Sequence, residues 1–294
     1  MSAFLSELGR KLAEKWLSLL VLPGLLLLGA CVAGGVLGQA HWADTTRLTA
    51  VARSWSTAVQ ASGAVLAVMI AAAVLLAAAA LGVAATGLGW AVRKVWLDPW
   101  PRWAGWLLVR SRRARWNRAT AAYETTLLEA RNADDPEAAR QELDRLAGRR
   151  NRIGLVRPGR PTWIGDRMAA VDARVFAEYE LDLGTAWPRL WLTVADATRT
   201  EVRAAATAFG AAATLCGWGL PYLALGVVWW PAAVLGLLIV VTAWRRGRST
   251  VALYADLVES VVDLHAAGLA DALGISAPPD TAGAEITSRL RKGA

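Results

Sequence analysis

Two cysteines and two histidines are all the chain carries in 294 residues. Cys31 and Cys216 both sit in apolar runs, so they supply neither a disulfide framework nor a cysteine metal box, and they read as small buried hydrophobes. His41 and His265 fall on opposite sides of a membrane in the topology derived below, so they cannot work as a pair. Phosphate loop, nucleophile elbow and zinc-type histidine pair are all missing. So are period-2 strand patterns and internal repeats. The long apolar runs lack charge altogether, which disfavours ion-coupled transport, because an intramembrane charge is expensive and is kept only for function. Leu28-Gly29-Ala30-Cys31 has the form of a lipoprotein cleavage site, but the run stays apolar through Leu37, where a processed lipoprotein turns polar. The stretch from Leu17 to Gly38 is also too long for a secretory signal peptide.

What is present is segregated. Hydrophobic residues make up 55% of the chain and charged residues still 19%, and the two populations occupy different segments. That pattern implies an integral membrane protein. Residues 17–38 form a first uncharged span of about 33 Å at 1.5 Å per residue, enough for a bilayer core. Residues 39–61 form a polar outer loop, and residues 62–92 a second, Ala-rich span that completes the first transmembrane pair. A third apolar stretch, 204–244, is too long for one crossing and is interrupted near Gly219, Pro221 and Gly226. It reads as a second transmembrane pair over 204–222 and 226–244. The expected fold is therefore all-α: a polytopic membrane protein with four transmembrane helices and a helical cytoplasmic domain over 93–203. Residues 1–16 alternate apolar and charged positions as an amphipathic interfacial helix. Residues 245–294 form a cytoplasmic amphipathic helix, about 250–273, and a flexible tail.

Charge fixes the orientation. Lys and Arg number 32 against 24 Asp and Glu, and the excess is local. Residues 93–118 hold eight basic residues and one acid, and Arg245-Arg246-Gly247-Arg248 follows the fourth span. By the positive-inside rule both termini and 93–203 face the cytoplasm of a bacterial plasma membrane. A basic excess beside an apolar span points to anionic lipid headgroups and away from nucleic acid. Most of the 16 tryptophans lie near expected span ends. The segment Trp96–Trp116 mixes tryptophan and arginine densely, and Trp96, Trp100, Trp103, Trp106, Arg110, Arg112, Arg113 and Arg115, with Arg245 and Arg246, make the expected membrane-interface set.

Within the cytoplasmic part, helices are expected over about 112–132, from Asp135 to Gly148, from an Asp166 cap to Leu183, and from Trp187-Pro188 onward, with a loop over 151–165. Two acidic groups stand out. Glu178 and Asp182, at i and i+4, are expected on one helix face near Asp172, with Arg167 and Arg174 interleaved. Such carboxylates can hold a cation or work as an acid–base pair, but the arginines favour a solvated, balanced face. Asp256, Glu259 and Asp263 share another face and are either a docking stripe for a basic partner or an internal match for Arg245–Arg248 or for arginines of 93–118. Internal pairing is the favoured of the two. Small residues recur every fourth position at Ala30, Gly34 and Gly38, at Ala78, Gly82 and Thr86, and at Ala206, Gly210 and Thr214. Such ladders let helices approach closely, within one subunit or between copies.

Pro161-Thr162-Trp163-Ile164-Gly165-Asp166, Tyr179-Glu180-Leu181-Asp182 and Trp187-Pro188-Arg189-Leu190-Trp191 occur in that order, followed by Tyr254-Ala255-Asp256-Leu257-Val258, Val262-Asp263-Leu264 and Leu273-Gly274. Over roughly 160–280 this resembles a family of uncharacterised bacterial four-span membrane proteins, in which asparagine often stands where Asp166 stands here. The resemblance implies membrane architecture and no particular activity. With no catalytic constellation, cofactor or metal site in view, the expected function is that of a membrane scaffold or anchor recruiting an unknown cytoplasmic protein. The alternative is a homo-oligomeric pore or membrane effector, and a lipid-acting enzyme using the 172–182 carboxylates ranks lower.

Overall fold

The computed structural model describes Glu7 and residues 21–61, 63–131, 135–275 and 278–291. Apart from Glu7, the interfacial helix expected at 1–16 lies outside the described residues, as do the first residues of the expected first span. Ten helices are described and, among the described residues, no strand. They are α1 (Leu22–Leu37), α2 (Thr45–Ala61), α3 (Gly63–Leu97), α4 (Arg102–Ala130), α5 (Pro136–Ile153), α6 (Trp163–Tyr179), α7 (Leu183–Thr193), α8 (Asp196–Leu225), α9 (Trp230–Ala272) and α10 (Pro279–Leu290). The chain divides into two compact units: residues 1–92 with 210–245, and residues 93–209 with 246–294.

Among the described residues two helices, α3 and α8, are long and apolar enough to cross a membrane. α1 is apolar but has only 16 residues in the described part, and α9 stays apolar only as far as Arg245. The described part of α1 and the apolar part of α9 are each shorter than the roughly 20 apolar residues a bilayer core requires.

The first unit is built on close backbone approach. A Cβ at Gly217 would lie 2.6 Å from the Ala85 carbonyl oxygen and 2.7 Å from the Gly89 nitrogen, and one at Gly89 would lie 2.7 Å from the Thr214 Cα. α3 and α8 thus cross at Gly89 and Gly217, without the Cβ atoms that would hold them apart. Gly24 lies as closely against Ala78, and Gly34 packs on Trp229 and Leu225. Of the glycines expected to pack helices, Gly34 does so and Gly82 is buried. Gly210 and Gly38 do not: a Cβ at either would meet nothing within 4 Å, and Gly38 instead ends α1 at φ +61°. Every-fourth spacing names small residues but not the register at which two helices meet.

The expected outer loop over 39–61 is largely helical, since Asp44 accepts the N–H groups of Thr46 and Arg47 at the start of α2. The turns after α1 and after α8 are stitched together. Gln39 Nε2 donates to the carbonyls of Gly226 (3.0 Å) and Val227 (2.8 Å), and its Oε1 accepts the Trp230 N–H. Trp229 Nε1 donates to the Trp42 carbonyl, and the Trp42 and Trp230 rings lie 4.9 Å apart.

The second unit has an ordinary aliphatic core in which Val171, Leu181, Leu190, Ala255, Val262 and Ile286 are fully buried. It draws on α6, α7, α9 and α10. The expected fourth span and C-terminal helix are one helix, α9, because the change from apolar to charged at Arg245 alters the surroundings without breaking the backbone pattern. Gly247 lies within α9, where an added Cβ would meet the Trp96 ring at 2.7 Å. The tail expected to be flexible carries α10. Pro279 sits in its first turn, where a missing N–H costs nothing. Gly283 presses on the Tyr179 carbonyl with no room for a Cβ, and Ile286 enters the core.

Candidate functional site

The loop that follows α5 is the most heavily bonded part of the second unit. Asp166, 4% exposed, lies in the first turn of α6 and turns back onto this loop. Its Oδ1 accepts the N–H groups of Gly159 (2.8 Å) and Arg160 (2.7 Å). Its Oδ2 accepts from Arg112 Nη2 (2.7 Å) and Nε (3.2 Å), and the same Nη2 also donates to the Ile153 carbonyl. Arg113 Nε donates to the Pro158 carbonyl (2.7 Å), and Trp116 Nε1 to that of Gly154 (3.0 Å). Thr162 caps α6 by accepting the Gly165 N–H, and its hydroxyl donates to the Trp96 carbonyl. Arg160 donates to the Leu97 carbonyl. The helix cap is therefore Thr162; Asp166 holds the loop and α4 together.

Beside this knot runs a groove of about 610 Å³ between α4 and the loop. Trp100, Trp106, Val109 and Pro161 give it an apolar wall, and Arg110, Arg113 and Arg157 line the same groove. Among the described residues no carboxylate lines it. A second groove, about 500 Å³ between α4 and α5, is lined by Arg115, Arg118, Arg149 and Arg152 with alanine and aliphatic side chains, and no aromatic lines it among the described residues.

The expected interface residues separate accordingly. Trp103, Trp106, Arg110, Arg113, Arg115, Arg245 and Arg246 are exposed, and Trp100 is half-buried with its Nε1 on the Val95 carbonyl. Trp96 and Arg112 are not surface anchors. Trp96 is buried, its ring 6.1 Å from that of Phe209, and Arg112 is spent on Asp166.

The acidic candidates serve the fold. Glu178 and Asp182 do not share a helix: α6 ends at Tyr179, Glu180 takes a left-handed conformation at φ 51°, and Asp182 caps α7. Asp182 pairs with Arg291 (2.9 Å), and that bond, helped by the Thr185 N–H, holds its carboxyl below the usual carboxylate range. Thr287 Oγ1 accepts the Asp182 N–H (2.9 Å) and donates to the Glu180 carbonyl (3.2 Å). Asp172 is pushed upward, first by desolvation and then by the charge of Asp182, while Arg160 opposes the rise. On α9, Asp256 and Glu259 both bind buried Arg167, the latter at 3.1 Å, and Glu259 also meets Arg174. Asp263 accepts the Tyr179 hydroxyl at 2.9 Å, which raises the phenol. The stripe expected to face a partner, or to match Arg245–Arg248 or the arginines of 93–118, is thus bound to α6. His265 sits against the Val261 carbonyl of its own helix. Glu178, with Asp263 and Arg174, lines an open groove. Among the described residues no three His, Cys, Asp or Glu side chains come together as a metal-holding group.

Sequence reasoning missed the Asp166–Arg112 knot, whose partners are 54 residues apart. The run of Gly154, Pro158, Gly159 and Pro161 identified a loop, and a loop bracketed by arginines and followed by an acid was the available signal. No protein-family model, curated protein or solved structure matches the chain.

Proposed function

We propose that the chain is a four-span integral membrane protein whose cytoplasmic helices form a non-enzymatic scaffold or anchor for a protein partner. The spans are α1 with the residues before it, α3, the apolar part of α8 and the start of α9. The stitching of the two turns by Gln39, Trp42 and Trp229 carries this reading, because two hairpins can share those bonds only if both turns emerge on the same side of the bilayer. The positive-inside rule puts that side outside and residues 93–203 and 245–294 inside. The outer surface of α3 supports immersion in lipid: Val65 is 77% exposed and Leu76 72%, and water does not tolerate such a contiguous apolar face. The scaffold reading is supported by Asp166, Asp182, Asp256, Glu259 and Asp263, which Arg112, Arg291, Arg167 and Tyr179 hold in structural bonds.

Alkaline carbonate should leave the full-length protein in the membrane. A periplasmic-type reporter fused at residue 50 should be active and one at residue 130 silent. Release by carbonate or the reverse reporter pattern overturns the topology, and ion flux through reconstituted vesicles overturns the scaffold.

A further inference from the structure

We propose that the groove between α4 and the 157–161 loop binds the phosphate-bearing headgroup of an anionic phospholipid, with the upper part of the acyl chains lying on Trp100, Trp106 and Pro161. The proposal rests on the membrane reading above and gives it a specific lipid contact. At about 610 Å³ the groove holds a headgroup and a few methylenes, within the range of small-molecule sites and well below a whole lipid.

Its charge is unmatched. Arg110, Arg113 and Arg157 form no ion pair among the described residues, whereas Arg112, in the middle of the same helical turn, is taken by Asp166. Arg110 and Arg113 stand at i and i+3 and so share one face of α4. The Nε of Arg113 is fixed on the Pro158 carbonyl, which aims its guanidinium before any ligand arrives. The knot gives this site its shape: Asp166 holds the N–H groups of Gly159 and Arg160, and so fixes the loop that carries Arg157 and Pro161. Gly105 lets Pro161 close on α4, where a Cβ would stand 2.9 Å from the proline ring. Guanidinium groups beside indole and proline surfaces suit a molecule with a phosphate at one end and hydrocarbon at the other. The arginine groove between α4 and α5 has as much positive charge and no aromatic wall, so it serves as an internal control. Pro99 and Trp100 follow α3 within three residues, which places the wall just past the end of an apolar helix in the chain.

The test uses full-length protein in mild detergent, with dioleoylphosphatidylglycerol and dioleoylphosphatidylcholine competing at equal concentration and bound lipid read by native mass spectrometry. The double variant Arg110→Gln/Arg157→Gln spares the Arg113–Pro158 bond and the Asp166 knot. Native protein should retain the glycerol lipid preferentially. The double variant should lose that preference about 25-fold, from about fivefold per arginine facing an anionic headgroup, and Arg115→Gln/Arg118→Gln should keep it. Equal retention of both lipids overturns the proposal. So does a preference that survives in the first double variant or falls as much in the second. Displacement by millimolar inorganic phosphate identifies a free anion as the ligand and overturns the lipid assignment. Carbonate extraction of the same preparations separates the two levels: release from the membrane defeats the membrane reading, whereas an integral protein without lipid preference defeats the groove alone.

Discussion

Asp166→Asn exchanges one carboxylate oxygen for an amide and leaves the side-chain shape intact. In the native fold one oxygen takes two backbone N–H groups and the other takes two N–H groups of Arg112. All four are donors, so the asparagine NH2 meets a donor whichever way it turns. Side-chain exposures of 11% for Arg112 and 5% for Asp166 leave little solvent to screen the mismatch. Removing one member of a buried ion pair costs about 3–5 kcal/mol. At about 1.4 kcal/mol per tenfold, the opened form of the 153–162 loop becomes about a hundredfold to several thousandfold more populated. Thermolysin reads this directly, because Leu155 and Val156 offer it cleavage sites in the loop. Trypsin is the wrong probe, since Arg157 and Arg160 each precede proline. When opening is fast relative to cleavage, the rate follows the open population. Arg112→Lys keeps the charge but loses the two-pronged geometry, and it should cost only about 1–2 kcal/mol. A cleavage rate for folded Asp166→Asn within fivefold of native would refute the assignment of the knot.

Gly217→Leu should separate α3 from α8 and lower the melting temperature in detergent, at a cost beyond the ordinary overpacking penalty of about 1–3 kcal/mol, because the obstruction is backbone. Gly210→Leu, seven residues earlier on the same helix, should leave melting unchanged; equal effects would sink the Gly89–Gly217 crossing. For Asp182, the folded carboxyl titrates below its ordinary value of 3.8, so the ion pair with Arg291 stabilises the α10 contact above that pH and is lost as pH falls through the lower folded value. Hydrogen exchange over residues 279–290, corrected for intrinsic rate, should be flat from pH 7 to pH 5 and accelerate below about pH 4. Asp182→Asn should remove that acceleration.

Class, helix content and the positions of α3 and α8 were legible because each rests on local pattern: uncharged runs, tryptophan and arginine at their ends, proline and glycine between. What the sequence hid was long-range. Asp166 has the residue type and position of a helix cap, and only the placement of Arg112 shows that it faces backward. Gly38 and Gly210 fit a small-residue ladder as well as Gly89 and Gly217 do, since spacing is the same on every register of a helix. The sequence turns from apolar to charged at Arg245 while α9 continues unbroken, so a switch in hydropathy imitates a boundary. Pro278-Pro279 reads as the stop after one helix but starts another, and the choice is made by the core position that Ile286 fills. Acidic spacing identified the α9 stripe but named the wrong internal arginines, Arg245–Arg248 and those of 93–118, where Arg167 and Arg174 of α6 bind it.

The contact between Thr287 and the α6–α7 junction also sets a schedule. Thr287 lies 105 residues after the Asp182 N–H it receives, and α8 and α9 are both made in the interval. At about 5–20 residues per second, the junction waits about 5–20 s for its cover while chain synthesis continues. During that wait the apolar sequences of α8 and α9 leave the ribosome and must be dealt with first. The core around Leu181 is therefore completed only after the apolar segments of α8 and α9 have been made, and any delay in handling them leaves that core open.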